Sequence, residues 1–554
     1  MATVSDFLIR VFSPIKSGYI FVRHEIVTNT ADFVGRRQPL VWLLAFGIGV
    51  VVALAAVLFR LAIGLVQLPW LGTMSENVVT ATEKLHFSLI LGAPILGGLF
   101  VGLCLKFIPR QRTSSVAEVM EARARGGRGL PFWHGLSSAL LTAVSLGSGA
   151  SAGREGPVVH LGATLATALC NLFSLAITTR RVMLACGVAS AVSASFNAPI
   201  AGVLFAHEVI LGHYALSAIA PVCIAAVAGT LITRLVFGDV AAFVIPGHQI
   251  TSYLEFPAFA LLGVTCAAVA VIFQFALTGT DWVARHIPMP LWLRPAVGGA
   301  AVGLIALAYP EVLGVGYETT DAALKNNLPL MLMLILLVAK TAATAITLAS
   351  RFGGGIFSPT LYLGAMAGGS FGLIAASLFP ELASSEGLYS ILGMGGVAAA
   401  VLGAPFSTTV MVFELTGGYA LSIALLITVS ISTGLTLAIH GRSYFHWQLE
   451  TRGLELREGA HRWLIRTVHV SDFMDELSEG DPRELCESED AKIVRLVPDD
   501  DLETTLRLFD TSGTYRLPVM RDRESLEIIG FVRHVTALDR FNKALIEASR
   551  EEHT

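Results

Sequence analysis

Seven apolar windows, beginning near Leu40, Phe87, Val182, Ala215, Phe256, Leu328 and Ala420, are long enough to cross a bilayer as helices, which takes about 17 to 25 residues. Such windows leave a chain few ways to fold. In lipid every backbone N–H and C=O must be satisfied within the protein, and continuous apolar runs do this as α-helices, whereas barrel strands alternate in polarity. The rest of the composition agrees: 54% of the 554 residues are hydrophobic, 14% are charged and the mean hydropathy is +0.67. A soluble protein of this length is excluded. A net charge of −4 leaves no electrostatic footprint for a nucleic-acid partner.

Between the windows lie shorter apolar pieces interrupted by glycine and proline: SLGSGASAGREGPVVHLGA, LASRFGGGIFSPTLYLGA and VLGAPFSTTVMVFELTGG. They read as half-helices. A break at membrane depth strands backbone polar groups at a cost of several kcal/mol each, so breaks gather where protein or a water-filled cavity receives them. A single break would fit close helix packing equally well. Here the breaks recur. Gly156-Pro157-Val158-Val159-His160-Leu161-Gly162-Ala163 matches Ser358-Pro359-Thr360-Leu361-Tyr362-Leu363-Gly364-Ala365, and Gly187, Ala198, Pro199 and Glu208 match Gly393, Ala404, Pro405 and Glu414. Corresponding broken segments in two halves point to a substrate site at the repeat interface of a transporter-like fold. The halves are expected to be inverted.

Lys16, Arg23, Arg36 and Arg37 precede the first window, and Lys106, Arg110, Arg112, Arg123, Arg125 and Arg128 crowd the loop after the second. The positive-inside bias makes both cytoplasmic. Residues 1–38 are expected to be a cytoplasmic segment, 39–450 the membrane domain and 464–554 a small cytoplasmic α/β domain, with the protein in a bacterial inner membrane and both termini in the cytoplasm. The N-terminus lacks the short apolar core and cleavage site of a signal peptide. In the tail, Ile493–Val497, Tyr515–Val519 and Glu527–Val532 read as strands, with a helix over Leu502–Phe509 and another at the end. The six cysteines form no CxxC pair, so neither a disulfide framework nor a metal site is expected.

In residues 147–160, GSGASAGREGPVVH, glycines precede a proline suited to a first helical turn. A helix N-terminus offers unpaired amides and the positive end of the macrodipole, which stabilise an anion without a fixed cation. Conduction needs that moderation, since an ion held too tightly cannot leave. Glu155 lies inside this start and reads as a protonatable gate, or else as a cap or an ion pair with Arg154.

GREGP at 153–157, GGIFSP at 354–359, NAPIAGVLF at 197–205 and APFSTTVMVFELTG at 404–417 resemble the CLC chloride channel and transporter family over roughly residues 40–450. The resemblance implies a bundle of many tilted and broken helices in two inverted halves. It also implies a homodimer with one anion path per subunit, chloride as the bound ion and no other cofactor. Glu155 is then the gate. The anion-binding residues are Gly153, Arg154 and Gly156 at the first break, Gly355, Ile356 and Phe357 at the second, Ser114 as the coordinating serine, and Tyr444 and Phe445 at the inner constriction.

Three departures from the family pattern bear on mechanism. The serine motif reads Thr113-Ser114-Ser115-Val116-Ala117-Glu118, without the family's glycines and proline, and Phe445 stands at the inner tyrosine, with Tyr444 one residue before it. Val209 replaces the intracellular proton-handling glutamate of proton-coupled members. Valine relays no proton, so the expected function is passive, pH-gated chloride conduction, with chloride/proton antiport by another proton route as the alternative. His160 and His207 are candidate proton carriers. Lys340 either raises the potential for anions or snorkels to an interface. A remote third reading is an intramembrane serine hydrolase using Ser148 or Ser151 with His207. The tail over Ile493–Leu545 resembles one CBS motif, but Arg533 and Thr536 occupy the usual nucleotide-contact positions, so nucleotide binding is not expected.

Overall fold

In the computed structural model the described residues are 38–454, 468–477 and 495–553, apart from 109–110, 126, 128, 240–242, 244–249, 251, 382, 417–420 and 523–526, together with Glu25 and Gly35. The expected N-terminal segment and the strand residues Ile493 and Val494 lie outside them.

The first half of the membrane domain runs through α1 (Gln38–Leu71), the short α2 (Val78–Thr82), α3 (Phe87–Leu105), α4 (Val116–Ala124), α5 (Phe132–Gly147), α6 (Glu155–Leu172), α7 (Ile177–Phe196), α8 (Pro199–Phe205, continued by a π turn over Ala206–Leu211) and α9 (Leu216–Phe237). The second half comprises α10 (Phe256–His286), α11 (Arg294–Ala308), α12 (Tyr317–Leu324), α13 (Leu330–Ala349), α14 (Phe357–Leu378), α15 (Glu386–Leu402), α16 (Pro405–Thr416), α17 (Ser422–His440) and α18 (Tyr444–Glu450). Large apolar side chains such as Leu43, Leu58 and Leu65 of α1 point outward, whereas its small residues Ala45, Gly49 and Ala53 are buried. A surface of that kind belongs against lipid.

The repeat seen in the sequence is a repeat of packing. Gly162 of α6 meets Gly187 of α7, and Gly364 of α14 meets Gly393 of α15. A methyl on Gly162 would lie 2.6 Å from the Gly187 carbonyl oxygen, and one on Gly187 2.5 Å from that of Gly162. Glycine is what allows the two backbones to touch. The glutamates complete the symmetry. Glu208 accepts from the amides of Phe406 (3.0 Å) and Ser407 (2.7 Å) at the start of α16, while Glu414 accepts from those of Ile200 (3.0 Å) and Ala201 (2.7 Å) at the start of α8. Each half thus caps a helix of the other.

Two expectations change. The helix expected from Val182 begins at Ile177 and is not apolar enough along its length to count as a span, because it carries Arg180, Arg181 and several serines and is buried inside the bundle. Conversely, the piece containing GIFSP is no half-helix: α14 has 22 residues and is long and apolar enough to cross, its break lying before Phe357.

The tail forms a three-stranded antiparallel sheet in the order β1 (Asp475–Glu476), β3 (Ile528–Arg533), β2 (Arg516–Met520), with α19 (Leu502–Ser512) and α20 (His534–His553). Among the described residues of the strand expected over Ile493–Val497, Leu496 alone pairs, in a parallel bridge to Val519. Asp501 caps α19 through the Thr504 amide at 2.7 Å, and Leu496, Leu502, Phe509, Val519 and Val532 form the core. Arg533 is engaged by Asp475 at 2.8 Å across β1 and β3.

Candidate anion pathway

The two breaks meet. Gly153 and Gly355 run antiparallel and exchange both backbone hydrogen bonds, each amide donating to the other's carbonyl at 2.7 Å. A side chain would be tight at both: a methyl on Gly153 would sit 2.7 Å from Glu155 Oε2, and one on Gly355 3.2 Å from the Gly156 nitrogen. This bridge sets the N-terminus of α6 beside that of α14. The first amides of both helices have no intrahelical acceptor, and both macrodipoles present their positive ends there.

Below the bridge, a cavity of about 130 Å³ is lined by Ser114, Gly156, Gly355, Ile356, Phe357, Tyr444 and Phe445, with Arg112, Arg351 and Arg452 among its other wall residues. The Phe357 ring packs on Phe196 and Phe205, yet the residue remains part of the wall. Tyr444 is buried with its hydroxyl accepting from Gln448 at 3.0 Å, and Gln448 in turn accepts from Ser115 at 3.1 Å. Ser115 also caps α4, whose Glu118 pairs with Arg112 (3.3 Å) and Arg452 (3.0 Å). The altered serine motif is therefore held by side chains where the family pattern uses glycine and proline.

A second cavity, of about 380 Å³, is lined by Arg60, Gln67, Glu76, Arg154, Tyr317 and Glu318. Arg154 lines this cavity and not the first, apart from the other residues expected to bind the anion. Its Nη1 pairs with Glu76, which Arg60 also holds at 2.7 Å, and its guanidinium lies over the Tyr317 ring at 5.0 Å. Burial would raise the Glu76 carboxyl, but Arg154 and Arg60 outweigh it and hold the group below its usual value.

Glu155 lines neither cavity. Its preceding neighbour, Arg154, lines the second cavity and its following neighbour, Gly156, the first, and Glu155 itself is fully buried. The Tyr317 hydroxyl donates to Oε1 at 2.7 Å, whereas Oε2 has no hydrogen-bond partner among the described residues. Arg154 Nε is 3.9 Å from Oε1, an ion pair without a hydrogen bond, so the expected pairing with Arg154 is present while the carboxylate's hydrogen bond comes from Tyr317.

Tyr317 was missed by sequence reasoning. It begins α12 after Gly316, whose φ is +88°, and the loop before it is fastened by Lys340, which donates to the carbonyls of Val312 and Gly314, both at 2.9 Å. Lys340 is fully buried and neither lines the two cavities nor snorkels. A lone tyrosine after GVG carries no local signal, since its role depends on a carboxylate 162 residues away.

Val209 is buried on the π turn. Beside it, His207 Nδ1 lies 3.2 Å from the His213 carbonyl and its ring stacks on Tyr214. The hydrolase constellation does not assemble: Ser148 bonds the Ser145 carbonyl at 3.0 Å and Ser151 lies 3.3 Å from the Thr344 hydroxyl.

The family model described as voltage gated chloride channel matches residues 97–437. This chain is a member of the CLC family. Among curated proteins it is similar to the voltage-gated ClC-type chloride channel ClcB of Escherichia coli, 31% identical over 73% of this chain and 97% of that one. It is also similar to the H(+)/Cl(-) exchange transporter ClcA of Vibrio cholerae, 32% identical over 59% and 72%. Its fold matches the crystal structure of a slow cyanobacterial Cl-/H+ antiporter with a TM-score of 0.67, at 21% identity over 74% of this chain and 97% of that one. The CLC assignment accounts for the two inverted halves, and the chain is an integral membrane protein built on them.

Proposed function

We propose that this CLC protein conducts chloride passively along the line joining the two cavities, with Glu155 as a proton-operated gate. One observation supports the reading: a fully buried carboxylate stands at the joined tips of α6 and α14, with the residue before it lining the second, outer cavity and the residue after it lining the first, inner cavity. With the carboxylate in place the path is closed. Once protonated, it loses its attraction for the dipoles at the helix ends and gives up its place to an anion. The amides of Ile356 and Phe357, with the Ser114 hydroxyl, then solvate chloride in the inner cavity, and Tyr444 and Phe445 narrow its inner end. Gly153, Gly156 and Gly355 contribute by letting the helix tips approach.

Passive conduction is favoured because Val209 offers no titratable group at that position. Antiport is the second reading, since a relative of comparable identity is named an exchange transporter. Flux in liposomes separates the two. A pH gradient that drives chloride uphill, with proton movement in fixed ratio, overturns the channel, whereas chloride flux without proton movement supports it. Glu155→Gln tests the gate: it mimics the protonated state, so flux becomes high and independent of pH, and an unchanged pH profile refutes the assignment. We propose further that two copies form a homodimer in a bacterial inner membrane with both termini cytoplasmic, and that the tail serves assembly or modulation. Mass measurement in detergent and protease access to vesicles check these points.

A further inference from the structure

We propose that His134 is a positioning residue for the Ser114 hydroxyl, and that a proton gained by His134 turns this hydroxyl into a donor toward the anion in the inner cavity. The proposal rests on the reading of Ser114 as an anion-coordinating residue. Its basis is the grip that α5 keeps on the loop before α4. The Ser114 amide donates to Ser138 Oγ at 2.7 Å, and one turn away His134 Nε2 lies 3.0 Å from Ser114 Oγ. Residues four apart share one face of a helix, so α5 fixes both the backbone and the side chain of this serine.

Ser114 is buried and lines the inner cavity. His134 is half-buried and lines a different cavity, of about 880 Å³, between α1, α3 and α5. The bond between them therefore passes through a wall that the anion sees from one side only.

A serine hydroxyl has a single hydrogen. If His134 Nε2 accepts it, only oxygen lone pairs remain to face an anion, and these repel it. If Nε2 carries a hydrogen, Ser114 Oγ accepts instead and its own hydrogen is free for the halide. A neutral imidazole allows both arrangements, whereas an imidazolium allows only the second. By linkage, chloride bound at Ser114 must favour the protonated ring to the same degree.

The groups around His134 suit such a role. Glu118 of α4 supplies a carboxylate, itself paired with Arg112 and Arg452. From α6 comes His160, buried, with no hydrogen-bond partner for its Nε2 among the described residues. The thiol of Cys104 faces the same cavity from α3, and α1 contributes only Ala62 and Val66.

The test is chloride binding by calorimetry to the purified full-length protein at about pH 5.5 and pH 7.5. A Glu155→Gln background keeps the gate carboxyl from titrating, so the outcome does not depend on the gate reading. That protein should bind chloride roughly threefold to tenfold more tightly at the lower pH, the range of one hydrogen bond gained. Adding His134→Gln, whose amide can hold the serine but cannot take up a proton, should make the affinity equal at both pH values. Adding Ser114→Ala should weaken binding and also remove the pH dependence. Repeating the titration in buffers of different ionisation enthalpy needs no change at His134: proton uptake on chloride binding supports the proposal, and none overturns it. Retained pH dependence in the His134→Gln protein overturns it as well. Unchanged affinity in the Ser114→Ala protein overturns it together with the Ser114 assignment.

Discussion

Tyr317→Phe tests the hydrogen bond that, in the proposed gate, holds the Glu155 carboxylate in place. The change removes one oxygen and keeps the ring, so the contacts to Arg154 at 5.0 Å and to Phe243, edge-on at 5.8 Å, survive. What is lost is the 2.7 Å bond to Glu155 Oε1, together with the weaker 3.5 Å bond that the Ser358 hydroxyl donates to the Tyr317 oxygen. A hydrogen bond to a charged acceptor contributes about 1.5–3 kcal/mol. Nothing replaces it in the closed position, because Oε2 already has no hydrogen-bond partner among the described residues and Arg154 Nε stands 3.9 Å from Oε1. A carboxylate that swings away regains solvent, which puts the expected loss at the low end of that range, about 1.5 kcal/mol, or roughly tenfold in the ratio of displaced to closed gate. Chloride efflux from liposomes at about pH 7.5, read with a chloride electrode, should therefore rise roughly tenfold, with the Glu155→Ala rate as its ceiling. If Glu155→Ala is fast and Tyr317→Phe stays within about twofold of the unmutated protein, Tyr317 does not hold the gate.

Three further outcomes follow from the same geometry. Gly355→Ala places a methyl 3.2 Å from the Gly156 nitrogen, so thermal unfolding should show a loss of about 1–3 kcal/mol and flux should fall, because the two helix tips are pushed apart. Glu208→Ala and Glu414→Ala each remove a cap from the other half, and each should cost about 1–2 kcal/mol in the same assay. The Glu76 carboxyl, held below its usual value by Arg154 and Arg60, contributes stability that is complete above the ordinary glutamate value of about 4.3 and is lost as the pH falls through its lower folded value. The stability difference between the unmutated protein and Glu76→Gln should thus stay constant from about pH 8 to pH 5 and shrink only in stronger acid.

Much of the architecture was legible because its causes are local. Apolar length placed the spans near Leu40, Phe87, Ala215, Phe256, Leu328 and Ala420 within a few residues of α1, α3, α9, α10, α13 and α17. The window at Val182 misled because a helix buried among other helices needs no lipid-facing surface, and α7 carries arginines and serines accordingly. At the site, GREGP and GGIFSP marked the break at Gly153 and Gly355, since glycine before a helix-starting proline or aromatic residue is a property of the segment itself.

The residues that orient the chemistry were not legible. Tyr317, Lys340, Ser138 and His134 act through partners brought close by the fold, and nothing within a few positions of any of them reports that partner. Arg154 shows the limit from the other side, since its motif fixed where it stands along the chain while Glu76, from another loop, decided which cavity it faces. By itself, then, the sequence determined a bilayer-spanning bundle of two related halves, each with a broken segment rich in glycine. The tertiary structure decided that the two breaks join through Gly153 and Gly355 and that a fully buried carboxylate at that junction meets the Tyr317 hydroxyl. Spans follow from hydropathy one helix at a time, but hydrogen bonds across more than a hundred residues exist only once the halves have packed.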